Sequence, residues 1–115
     1  MRVLVMDRTA VGGAPVFGGI PVSAVDVTPA GTWSTVTPAA VANQASAPGG
    51  DFIWRFTTTI GERVEIGVWN AAADAPADGS GTNPDPARTH LVKADAHYDL
   101  RIPANGVVKV RTTTL

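Results

Sequence analysis

Asp95, His97 and Asp99 alternate with apolar residues in HLVKADAHYDLRI (90–102), so in an extended chain all three project from one side, about 7 Å apart. Two carboxylates and an imidazole are donors suited to a divalent metal. Three donors in a row on one flat strand do not converge on a single ion, and another strand or chain would have to complete the sphere. The preferred reading is a solvated strand face whose alternating charges pair with their neighbours. Asp74, Asp78 and Asp85, with DGSG at 78–81, faintly resemble a calcium loop. They lack the alternate-position acids and closing glutamate of an EF-hand, which favours an Ala/Pro/Gly/Asp connector. No metal site is assigned.

Nucleophilic and phosphate chemistry find less support. His90 and His97 are the only histidines, and Ser23, Ser34, Ser46 and Ser80 have no Gly-x-Ser-x-Gly elbow signature around them. Gly12-Gly13 and Gly18-Gly19 come without the lysine and following helix of a phosphate-binding loop. No catalytic residue and no cofactor is assigned. Trp33, Trp54 and Trp69 offer the aromatic faces on which a pyranose ring stacks, with core packing as the competing role.

The elements that carry these residues read as strands. The 90–102 segment alternates for its whole length and predicts one long β-strand, with only Leu91 out of character. Residues 2–8, 21–27 and 32–37 predict three more. Thr37-Pro38 reads as an N-cap with proline at the first helical position, and AAVANQ could follow as two turns of helix. DFIWRFTTTI and VEIGVW predict a hairpin about a three-residue Gly61-Glu62-Arg63 loop. That register pairs Ile60 with Val64, Thr58 with Ile66 and Phe56 with Val68, collecting apolar residues on one face. It also sets Arg55 opposite an outward Trp69, beside Gly67, where the indole has room to lie flat. A second hairpin about Ala104-Asn105-Gly106, with Gly106 left-handed, would oppose Asp99 to Arg111 and Arg101 to Lys109. Between the hairpins lie nineteen residues, 71–89, with no strand or helix pattern. Loops of that length are usually functional or disordered.

The whole predicts one all-β domain over 1–115, an antiparallel sandwich or small barrel of six to seven strands with at most one short helix. The chain has no cysteine, which removes disulfides and thiolate chemistry. Nine basic and ten acidic residues leave a net charge of −1, so nothing favours nucleic acid or an anionic membrane. The apolar run in MRVLVMDR is too short for a signal peptide or a membrane span, and synthesis in the cytoplasm of whatever cell makes the chain is expected. Charged residues are only 17% of the chain, below the usual quarter, which fits either a partly covered surface or a compositional bias.

One segment asks for a partner. VGGAPVFGGIP (11–21) has too much glycine for a helix and too many apolar residues for a free linker. Val11, Val16, Phe17 and Ile20 in this Gly-rich arm, together with Trp69 and Arg55, form the candidate partner-binding set. With this arm, the Thr57-Thr58-Thr59 and Thr112-Thr113-Thr114 runs and the 71–89 loop, the chain resembles small capsid-decoration and other virion proteins of tailed bacteriophages. The resemblance is one of size, composition and plan and rests on no motif. It implies a non-enzymatic homo-oligomer, often a trimer, located in the virion. Its partners would be the major capsid protein or other virion subunits. The other reading is a carbohydrate- or receptor-binding β-sandwich module that uses exposed tryptophan.

Overall fold

The computed structural model describes residues 1–6, 8–11, 14–17, 23–37, 52–103 and 105–114. The side chains of 8–11, 14–17 and 52 are not among them. The helix expected after Thr37 falls outside these residues.

Among the described residues, ten strands form two four-stranded antiparallel sheets and one separate two-stranded hairpin. The first sheet has the order β4 (Ser23–Asp26), β1 (Arg2–Met6), β6 (Phe52–Thr57), β9 (His97–Ile102). The second has the order β5 (Ser34–Thr35), β10 (Val107–Thr112), β7 (Val64–Trp69), β8 (Thr89–Val92). The hairpin pairs β2 (Arg8–Val11) with β3 (Ala14–Phe17). The fold is all-β and sandwich-like, as the alternation predicts.

Burial follows that alternation. Val3, Val5, Trp54 and Phe56 of the first sheet pack with Val64, Ile66, Val108 and Val110 of the second in one core. Phe56, Val64, Ile66 and Val110 are fully enclosed. Burying a valine, isoleucine or phenylalanine side chain contributes about 1.5–3 kcal/mol, so this core is the main source of stability.

The pairing of strands differs from the sequence expectation at three connections. β6 and β7 do not form a hairpin: β6 lies between β1 and β9, and β7 lies between β10 and β8. Their apolar faces meet across the core instead of side by side in one sheet. Ile60, placed in the hairpin core by sequence, is 86% exposed at the tip of the connection. β9 and β10 likewise belong to different sheets, so Asp99 does not face Arg111, and Arg101 does not face Lys109. In their connection Asn105, not Gly106, takes the left-handed backbone, with φ of 60°. The expected single strand 90–102 is two strands in two sheets, broken at residues 93–96, where Asp95 has φ of 54°. Asparagine and aspartate tolerate this conformation better than other residues with a Cβ.

Thr58 fixes two of these crossings against each other. Its hydroxyl donates to the Lys93 carbonyl at 2.6 Å and accepts from the Ala96 amide at 3.0 Å, while its own amide donates to the Ala96 carbonyl at 2.9 Å. The residue is 2% exposed, so the hydroxyl satisfies backbone groups that water cannot reach. Glu62 closes the neighbouring turn, accepting from the Thr59 amide and from the ammonium group of Met1, each at 3.0 Å.

Candidate functional site

The outer face of the second sheet carries Trp33, Thr35, Glu65, Gly67, Trp69, Lys109 and Arg111. These positions alternate with the core residues of β5, β7 and β10. Such a face would ordinarily meet water. Here the chain from Asn70 to Asp85 lies across it. The Trp33 indole donates to the Thr82 carbonyl at 2.7 Å and its backbone amide to the Ser80 carbonyl at 2.9 Å. Lys109 and Thr35 both donate to Asp78, at 2.7 and 2.8 Å. Arg111 donates to one Glu65 oxygen at 2.9 Å and Asn83 to the other at 3.0 Å. Arg111 also donates to the Gly81 carbonyl. The segment 71–89, expected without secondary structure, contains 3-10 turns at Ala72–Asp74 and Pro86–Arg88 and then enters β8 at Thr89.

Covering this face changes the fate of its residues. Trp69 is 3% exposed, not outward to solvent as sequence places it, and Trp33 is 1% exposed. The two rings meet edge to face with centroids 5.7 Å apart. The Arg111 guanidinium stands 4.4 Å from the centre of the Trp33 ring, a cation–π contact, whereas Arg55 and Trp69 belong to different sheets and do not form the pair that sequence suggests. Gly67 does make room for the Trp69 indole, as sequence suggests: a Cβ there would sit 2.1 Å from the ring. Glu65 and Lys109, 5% and 8% exposed, are charged residues that the lid makes affordable by pairing them. Sequence reasoning missed this second, mixed core. Its signal was the coincidence of charged residues and tryptophans on strand faces turned away from the main core.

The outer face of the first sheet holds the remaining candidates. Across the four strands run Asp26–Arg2–Thr57–His97 and Ala24–Leu4–Arg55–Asp99. Arg55 grips Asp99 with two hydrogen bonds of 2.9 and 3.0 Å, and Arg2 grips Asp26 at 2.7 and 3.0 Å. The Asp26 carboxyl is held below its ordinary range by the hydrogen bond from Arg2. His97 meets the Thr57 hydroxyl at 3.0 Å through Nδ1. Asp95, in a turn with φ of 54°, leaves the row that it would share with His97 and Asp99 in one strand. Among the described residues no three His, Asp or Glu gather to hold a metal ion.

The six partner-binding candidates therefore do not form one cluster. Arg55 and Trp69 lie on opposite outer faces of the sandwich. Val11, Val16 and Phe17 lie on the β2–β3 hairpin, and Ile20 falls outside the described residues. The hairpin pairs Arg8 with Phe17 and Val11 with Ala14, and neither of its strands joins a four-stranded sheet. It is inserted between β1 and β4, which are themselves antiparallel neighbours, so it continues from one end of the first sheet.

A cavity of about 340 Å³ lies beside the lid, lined by Trp69, Asn70, Asp74, Asp85 and Arg88. Asp85 caps the turn that follows, accepting from the Ala87 amide, and pairs with Arg88 at 3.2 Å. The Trp69 Nε1 is shielded from this space and has no hydrogen-bond partner among the described residues. No helix among the described residues is long and apolar enough to cross a membrane. Comparison of the chain with family models, with curated proteins and with solved structures finds no match.

Proposed function

We propose that this chain is a non-enzymatic structural protein of a tailed-bacteriophage particle, a capsid decoration or stabilising subunit. It would be made in the host cytoplasm and bind neighbouring capsid subunits in the virion. The observation that carries this reading is the β2–β3 hairpin, which is paired within itself and joins neither sheet. A lone two-stranded hairpin is marginal in water, and one with Val11, Val16 and Phe17 in its sequence gains most by lying on another surface. The lid over the second sheet supports the same assignment of roles. It covers the second sheet with residues of the 70–85 segment and not with the β2–β3 hairpin.

The carbohydrate reading loses its platform. Trp33, Trp54 and Trp69 are each 3% exposed or less, so none offers a ring face for a sugar to stack on.

Mass measurement of the purified chain, alone and mixed with particles from its source, tests the proposal. Deletion of residues 12–19 is expected to leave the melting temperature nearly unchanged and to abolish particle binding. Unfolding of the deleted chain would make the arm part of the domain's own core. Undiminished binding would remove the arm from the interface.

A further inference from the structure

We propose that β9 is a self-association edge, at which two copies of this chain join antiparallel and merge their first sheets into one. This inference stands apart from particle binding, because it concerns the chain alone in solution. β9 is the longest of the edge strands, with six residues against four in β4 and β8 and two in β5. Among the described residues it pairs only with β6. Its inward positions are Tyr98, Leu100 and Ile102, and it contains no proline or glycine. Natural edge strands are commonly blunted by charges, proline or bulges; β9 has no proline, bulge or inward charge, and its outward charges, Asp99 and Arg101, are of opposite sign.

The charges on β9 choose a register. A two-fold axis that keeps inward residues opposite inward residues must pass through a residue position, because a half-step would turn every side chain to the wrong face. Centring on Asp99 would oppose two aspartates, and centring on Arg101 would oppose two arginines. Centring on Leu100 sets Asp99 of each copy against Arg101 of the other, twice, and sets Tyr98 against Ile102. Of these three registers only the one centred on Leu100 opposes opposite charges, which is the self-complementarity that a two-fold interface needs. Asp99 accepts one hydrogen bond on each oxygen from Arg55, and a carboxylate has further lone pairs for a second guanidinium. Arg101 already has an interaction within its own chain, and with five donors it can add another. The His90–Tyr98 hydrogen bond of 3.0 Å links β8 to β9 and holds the two sheet edges together on this side.

Sedimentation of the full chain over a range of concentrations should show a monomer–dimer equilibrium. Arg101→Asp, which opposes acids in this register, should weaken the dimer on the order of tenfold. The chain has no cysteine, so a single introduced one reports register directly. Leu100→Cys should cross-link under mild oxidation, because directly opposed Cα atoms lie about 4.5–5.5 Å apart. Arg101→Cys should not, since its copies would sit on a diagonal of about 7–8 Å. A chain that stays monomeric at all concentrations overturns the proposal, as does cross-linking through Arg101→Cys in place of Leu100→Cys. A dimer that tolerates Arg101→Asp but is lost on deleting residues 12–19 would assign association to the arm and also overturn it.

Discussion

Gly67 and Trp69, two positions apart on the outer face of β7, share one volume: a Cβ on Gly67 would stand 2.1 Å from Cη2 of the Trp69 ring and 2.4 Å from Cζ3. The indole lies back along its own strand because position 67 has no side chain. Trp33 closes on it edge to face at 5.7 Å, and the 70–85 segment shuts out water above. A glycine in mid-strand, which weakens a strand by entropy, is here the condition for a second packed layer.

Gly67→Ala is therefore expected to destabilise the protein by about 1–3 kcal/mol, because a buried ring must move to admit one methyl group. Denaturant titration measures it. A loss below 0.5 kcal/mol, roughly the scale of a neutral surface change, would mean that the ring shifts freely and that this layer is not tightly packed.

Arg111 is the hinge of the lid's charge network. Arg111→Met leaves Glu65, whose side chain is 7% exposed, with Asn83 as its remaining side-chain donor. A charge stranded in this way costs about 3 kcal/mol, and the double variant Glu65→Leu with Arg111→Met should recover most of that. Thermal or denaturant unfolding of the single and double variants checks the difference. Equal losses in both would remove the ion pair from the account.

Thr58→Val removes the hydroxyl that joins two sheet crossings and leaves the Ala96 amide without this acceptor. The expected cost is about 1–3 kcal/mol, with Thr58→Ser keeping most of the stability. Hydrogen exchange at Ala96 should quicken in the valine variant and not in the serine variant.

Asp78 makes the lid sensitive to acid. Hydrogen bonds from Lys109 and Thr35 hold its carboxyl below the ordinary value of 3.8. The unfolded chain therefore takes up the proton first as pH falls. The stabilisation is complete above the ordinary value and is lost as pH drops through the lowered one. Unfolding measured from neutral pH down to pH 3 should show a smaller acid-induced loss for Asp78→Asn than for the unaltered chain. An identical loss in both would place the acid sensitivity elsewhere.

Single-tryptophan variants should all resist aqueous quenchers. Trp33, Trp54 and Trp69 are each nearly enclosed, in the mixed outer core or the main one. Strong acrylamide quenching of Trp69 alone would show that the lid opens in solution.

Period-two alternation in the sequence determined which side of each strand is apolar. It gathered Phe56, Val64, Ile66 and Val68 on one face. It also determined the all-β class, since hardly any segment has the spacing of a helix. Alternation is a local property, however, and it says which face a residue occupies without saying which strand lies beside it. A short turn such as Gly61-Glu62-Arg63 can fold two strands into a hairpin or pass the chain from one sheet to the other. Both outcomes bury Phe56, Val64 and Ile66, although only the hairpin would bury Ile60. Only tertiary structure decided between them, through distant competitors: β1 and β9 take both sides of β6, and β10 and β8 take both sides of β7. The same holds for Trp69. Its outward position was legible, but its burial was not, because the cover comes from residues such as Ser80 and Thr82, whose placement depends on a carbonyl reaching an indole across the sheet.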